Sequence, residues 1–395
     1  MIADLHCHYP MHLLARSEDV TLETMVRARR RPRWVDKLRA FVLKLAARLL
    51  NFRRFTGSWR VDLPGLETGD VRVVLSVLYL PFAEMDLDER YGARPESGYF
   101  ADLVHELDRV EAELAGLDAD GTRHAIVRSA ADLEAAQDGG RVAFLHCVEG
   151  GFHLGATPGD VDRNVTELAR RGVRYVTLAH LFWRQVATNA PAIPFLPDRA
   201  YNAIFPQPAG AGLTDLGEAA VRAMYRERIL IDVSHMREDA IDETFRLLED
   251  LDRQSGADPK AFPVIASHSA FRFGGQAYNL TADMVRRIAA RDGVVGLILA
   301  QHQINDGLRK DETKTLPETV EVLRRHIDAI REAAGSHAYV GIGSDFDGYI
   351  QPTAGGLERI QDLKQLRDPL AELYPDDVDA MLSGNALRVL RRVLA

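Results

Sequence analysis

Two histidines one residue apart open the chain, His6 and His8 in the stretch IADLHCHYP. On an extended strand, residues i and i+2 point to the same side, so both imidazoles reach one ion while Cys7 points away. Further residues of metal-ligand or acid–base type recur at the ends of apolar runs. They are Glu149 after VAFLHCV, His180 after VRYVTLA, His235 after ILIDVS, His268 after PVIAS and Asp345 after YVGIGS. The two oxygens of Glu149 can each bind one cation, as a bridge in a two-metal site requires. His235 and His268 are the matching nitrogen donors. Asp345 suits a general acid/base beside a metal-held water, or a further ligand; Asp347, on the same side by period, competes with it. His180 suits polarisation of a carbonyl or the holding of a tetrahedral intermediate. His302, at the end of GVVGLILAQH, is an outsider that could join the site, and His146 alternates away from Glu149 toward the helices.

These residues need elements that converge. Eight apolar runs read as buried strands: 2–6, 71–80, 142–149, 173–180, 229–235, 263–268, 293–302 and 339–345. Their continuous Val/Ile/Leu character suits parallel strands covered on both faces. Helical patterns such as DVDRNVTELARRG and PETVEVLRRHIDAIREAAG fill the gaps and end at a Gly. Eight β–α units over residues 1–395 describe one (β/α)₈ TIM barrel, in which C-terminal strand ends share one mouth.

Two stretches interrupt that rhythm. Residues 27–54 carry eleven Lys/Arg against one Asp, with Trp34, Leu38, Phe41, Val42, Leu45 and Leu49 at helical spacing. This reads as a basic amphipathic helical insertion after the first strand, packed on the barrel, touching an anionic membrane or a partner, or covering the mouth. Residues 189–214 are Pro-rich and aperiodic and read as a loop walling the substrate pocket.

Composition bounds the rest. The 395 residues are 46% apolar with a net charge of −9, which argues against a global nucleic-acid footprint. The two cysteines, Cys7 and Cys147, make no disulfide framework, and neither a signal segment nor 18 uninterrupted apolar residues stand out. With a strand beginning at Ile2, no cleaved leader is expected, and the cytoplasm is the expected location.

Together the motifs resemble the membrane (renal) dipeptidase family of zinc metallopeptidases, (β/α)₈ barrels of the amidohydrolase type. The resemblance runs through D-x-H-x-[DH] at the first strand, EGG at 149–151, GVRYVTLAH, GLTDLGEAAVRAMYRERILIDVSHM, ASHSAFR and GIGSDFDG. It implies two zinc ions bridged by Glu149, with His6, His8, His235 and His268 as the other ligands. It also implies Asp345 as the catalytic aspartate and His180 as a substrate contact. On this reading a hydroxide between two divalent ions attacks the amide carbonyl of a dipeptide, and Asp345 carries the proton to the leaving amine.

Two departures stand out. His8 occupies the place of the usual aspartate, making that metal position one unit more positive. GGQAYNLTADM is one residue shorter than the family pattern and puts Tyr278, followed by Asn279, where the resemblance expects a carboxylate-binding arginine. Arg272 is the nearby cation that would compensate, so Arg272, Tyr278 and Asn279 are expected substrate contacts. The substrate is then a dipeptide, an N-acyl amino acid or another small amide, with a lactone or phosphoester as the rival. A non-catalytic scaffold acting through 27–54, and a homodimer, complete the expectations.

Overall fold

The computed structural model describes residues 1–13, 34–35, 37–39, 41–42, 59–81, 84, 91–348, 350 and 352–394. Nine parallel strands appear among them: β1 (Ile2–Cys7), β2 (Val71–Leu78), β3 (His124–Ile126), β4 (Val142–Glu149), β5 (Tyr175–Thr177), β6 (Leu230–Asp232), β7 (Val264–Ser269), β8 (Val294–Leu297) and β9 (Val340–Ile342). The order β2-β1-β9-β8-β7-β6-β5-β4 is closed by pairing of β2 with β4, so eight strands make a (β/α)₈ barrel.

The ninth strand, β3, is one the sequence did not announce. It pairs with Val142–Phe144 at the start of β4, while β5 pairs with Val148 and Glu149 at the end of β4. A three-residue strand is too short to carry a period of its own.

Around the barrel run helices α1 (Leu63–Thr68), α2 (Gly98–Leu117), α3 (Ala130–Asp138), α4 (Pro158–Arg170), α5 (Asp198–Ile204), α6 (Asp215–Glu227), α7 (Glu238–Ser255), α8 (Ala282–Ala290), α9 (Gln301–Ile304), α10 (Leu316–Ala334), α11 (Arg367–Leu373) and α12 (Asn385–Leu394). Their ends are set locally. The Thr157 and Thr214 side chains accept the first free N–H groups of α4 and α6, and α10 has a Thr315/Glu318 capping box and a left-handed Gly335 after its last turn.

Alternation along the strands divides the core in two. Ala3, Leu5, Val73, Leu75, Val77, Ala143, Leu145, Cys147, Tyr175, Leu230, Ile265 and Val294 fill the barrel interior. Leu387, Val389, Leu390 and Val393 of α12 join the same cluster and close the barrel at the end away from the mouth. The other strand residues, such as Ile2, Val74, Phe144 and Val264, pack outward against the helices.

Several sequence expectations shift. The strands expected at 173–180, 229–235 and 339–345 are only three residues long, so His180, His235 and Asp345 stand on loops three residues past them. The expected strand at 293–302 stops at Leu297, and His302 lies in α9. The 189–214 stretch contains α5 rather than loop alone. Most of the 27–54 insertion lies outside the described residues. Of its described part, 34–35, 37–39 and 41–42 are helical, Val42 is buried with Phe182, Ile193, Tyr201 and Phe205, and Arg39 Nε donates to the Ile204 carbonyl at 2.9 Å.

Candidate metal centre

Glu149 stands on the barrel axis because it continues the inward series Ala143, Leu145 and Cys147. The histidines need more than alternation. On β1, Leu5 packs in the barrel interior and Cys7 packs outward, while the pairing register slips between Asp4 and Cys7. That bulge lets His6 turn inward beside Leu5, and His8 follows it. A second slip, between Ala266 and Ser269 of β7, brings the adjacent Ser267 and His268 to the same site. His235, Asp345 and Asp347 take positive φ (63°, 57° and 65°). Such backbone is held only where surrounding contacts fix it, and it marks sharp exits from β6 and β9.

The result is convergence. Nε2 atoms of His6, His235 and His268 lie 3.4, 3.7 and 3.5 Å from Glu149 Oε1, and those of His8 and His180 lie 3.3 and 3.2 Å from Oε2. Asp345 Oδ1 is 3.2 Å from His8 Nε2. His6 and His8 meet Nε2 to Nε2 at 3.2 Å, and His235 and His268 at 3.0 Å. Donors about 2.1 Å from an ion in near-tetrahedral array stand about 3.4 Å apart, so these edges fit the polyhedra of bound cations. Glu149 Oε1 is buried without a hydrogen-bond partner, an orphaned acceptor that a cation would satisfy. Three groups, two of them sharing His6, could each hold an ion: His6/His8/Asp345, His6/Asp232/His268 and Glu149/His180/His235. Gly348 is required beside them, since a Cβ there would lie 1.8 Å from Asp345 Oδ1.

Electrostatics keep the donors ready. Burial, then repulsion from neighbouring imidazoles, lowers the pKa of His6, His235 and His268, so they stay neutral with free lone pairs. Burial raises Glu149 to about 7 and raises Asp345 against the pull of the His8 hydrogen bond. His180 behaves oppositely: burial would lower it, but the carboxylates of Glu149 and Glu84 raise it to about 9.

Glu84 is a site residue that sequence reading missed. Its Oε2 lies 2.7 Å from His180 Nδ1 and accepts from Tyr79 Oη at 2.7 Å, while its Oε1 accepts the Phe182 N–H. This fixes the ring so that Nε2 faces Glu149. Asp232 is the second. It accepts from the hydroxyls of Thr177, Ser234 and Ser267, and Ser267 Oγ reaches Nδ1 of both His6 (3.0 Å) and His268 (2.8 Å). A single inward Ser before a strand-end His, as in ASHS, was the available signal.

Of the expected substrate contacts, Tyr278 borders the cluster, its ring 4.9 Å from His235 and its hydroxyl donating to the His268 carbonyl at 2.8 Å. Arg272 and Asn279 are turned to the backbone. Arg272 donates to the Asn279 and Ala277 carbonyls, and Asn279 Nδ2 donates to the Gln303 carbonyl. Asp347 does not compete with Asp345, since it accepts the Arg60 and Val61 N–H groups. His146 faces α2, its Nε2 3.5 Å from Glu111.

Fold and mouth together define a class, a (β/α)₈ barrel whose strand ends present a buried imidazole–carboxylate cluster suited to metal. Within that class the chain belongs to the membrane dipeptidase family, peptidase family M19, whose model matches residues 2–395. It is 28% identical to mouse dipeptidase 3 over 350 residues, 87% of this chain and 60% of that protein. It is also 28% identical over 258 residues to the Aspergillus oryzae dipeptidase aclJ, 64% of this chain and 51% of that one. The chain thus spans half to three-fifths of the length of these relatives. Among solved structures, the fold matches a family M19 dipeptidase with a TM-score of 0.71 at 20% identity, covering 100% and 98% of the two chains. It matches a Rhodobacter sphaeroides metallopeptidase, liganded with a phosphinate mimic of L-Ala-D-Ala, with a TM-score of 0.69 at 22% identity over 99% of each. Among the described residues no helix is long and apolar enough to cross a membrane.

Proposed function

We propose that the protein is a metallohydrolase cleaving the amide bond of a dipeptide or similar small substrate, with two divalent cations, zinc by preference. The observation that carries it is the meeting of five imidazole Nε2 atoms on the two oxygens of one buried carboxylate, Glu149. Family membership and the dipeptide mimic bound by a relative of the same fold support the substrate class. His6 and His8 would hold one ion and His235 and His268 the other, with Glu149 between, where the ions polarise a carbonyl and acidify water.

The remaining work falls to the chain. Asp345, its carboxyl raised by burial, accepts the attacking water's proton in its ionised form and returns it to the leaving amine. His180, held cationic by Glu149 and Glu84, donates through Nε2 to the oxygen that gains charge as the carbonyl becomes tetrahedral. Tyr278 closes the side of the cluster beyond His235. The two buried, unpaired cysteines support a reducing compartment such as the cytoplasm.

The test is metal analysis with a substrate panel. About two equivalents of bound zinc and turnover of dipeptides above N-acyl amino acids, lactones and phosphoesters are expected. Less than about half an equivalent, with no gain of hydrolysis on zinc addition, would overturn the reading.

A further inference from the structure

Just outside the histidine cluster lies a cavity of about 430 Å³, walled by residues 191–199 on one side and by Gly275, Gln276, His302 and Asp306 on the other. The chain links it to the cluster at two points. Ala190, next to its first wall, donates its N–H to the His235 carbonyl at 2.7 Å, and Ala277 alone separates Gln276 from Tyr278. A substrate leaving the cluster past Tyr278 would enter it.

Two carboxylates and an imidazole, Asp198, Asp306 and His302, stand among the polar groups of this cavity. Asp198 Oδ2 accepts the Ala277 N–H and Asp306 Oδ2 accepts the Gln276 N–H, both at 2.9 Å, which pins the 276–277 turn and leaves each carboxylate a second oxygen. Burial, and then the charge of Asp306, raises the pKa of Asp198 despite the opposing pull of Arg272. His302 places Nε2 3.3 Å from the Ala192 carbonyl, while its buried Nδ1 has no hydrogen-bond partner. A neutral ring donating from Nε2 leaves Nδ1 as a bare acceptor. Arg272 is engaged by two carbonyls and lies 3.7 Å from Glu238, and Arg199, which also lines the cavity, is exposed to solvent. Among the described residues, every grouping tight enough for a single metal ion belongs to the histidine cluster.

We infer that this cavity receives an ammonium or guanidinium group carried by the substrate beyond its reacting amide, so that the preferred substrates are basic. A cation with several N–H donors on a flexible or planar head can meet more than one of these acceptors at once. An acidic substrate residue would meet like charge there. The inference rests on the amide-hydrolase reading above and names its substrate class.

The test compares zinc-loaded full-length protein on dipeptides of alanine with lysine, norleucine or glutamate, the variable residue placed at either position. Lysine and norleucine differ mainly by the ammonium head. In the wild type, kcat/KM for the lysine dipeptide should exceed that for norleucine about tenfold, and that for glutamate by more. Asp306→Asn and Asp198→Asn keep an oxygen for the backbone N–H and should bring the lysine-to-norleucine ratio close to one. Gly275→Leu, whose Cβ meets nothing within 4 Å, should fill the cavity and lower both values. Equal wild-type rates for lysine and norleucine, or an unchanged ratio in both Asp variants, would overturn the inference while leaving amide hydrolysis standing. If no dipeptide is cleaved, the hydrolase reading fails, and calorimetry with lysine amide still decides the cavity. Binding weakened about tenfold by Asp306→Asn supports it, and equal or absent binding to both proteins overturns it.

Discussion

Two residues apart on β4, Cys147 packs in an apolar interior while Glu149 stands among five imidazoles. The same inward face of the same strand therefore serves two media. Below, Leu145, Leu230 and Ile265 share one apolar cluster with α12, and stability comes from excluding water. Above, burial raises Glu149 and Asp345 and lowers three histidines, so the mouth holds polar groups in states that water would not favour. The difference teaches that one end of the barrel stabilises the fold and the other draws on that stability.

The largest break of this division is Glu149→Gln. Removing the bridging charge should lower kcat by about 10³-fold or more and reduce bound metal, measured by kinetics and metal analysis. The thermal midpoint of metal-free protein should hold or rise, since a buried carboxylate is costly. The converse break is Leu390→Ala in α12, expected to cost about 2–5 kcal/mol in denaturant unfolding while kcat/KM at low temperature stays within about twofold.

A smaller effect tests the mouth alone. Glu84→Gln removes a carboxylate that keeps His180 charged, and kcat should fall about 10–100-fold. His180 acts as the cation, so wild-type activity should decline as pH rises through about 9, and this alkaline limb should move to lower pH in the variant.

The smallest effect sharpens the comparison through a histidine at neither end. His326 on α10 is buried, accepts the Phe271 N–H at Nδ1 and donates from Nε2 to the Ile304 carbonyl. Burial lowers its pKa to about 4, below the unfolded value of about 6.5. A histidine folded in the neutral form contributes stability that is complete above pH 6.5 and lost as pH falls toward 4. The slope is at most about 1.4 kcal/mol per pH unit, and His326→Gln should flatten that part of the unfolding profile.

Much of the centre was legible because it follows from short-range periodicity. Glu149 needs only the alternation of β4, and the apolar runs ending in His6 and His268 locate two strand ends. His180, His235 and Asp345 stand three residues past the strands expected to carry them, since sequence shows where apolar character stops but not where pairing stops. His302 was drawn onto a strand end for the same reason and lies in α9.

The sequence by itself marked most of the imidazoles and carboxylates that meet at the mouth, the repeating β–α order and Tyr278, because each is written in neighbouring residues. Only the tertiary structure decided that bulges in β1 and β7 turn His6 and His268 inward, that Glu84 meets His180 across 96 residues, and that Asp198 and Asp306 share one cavity. Those facts depend on pairing register and on contacts between distant loops, and neither is encoded in the period of any single segment.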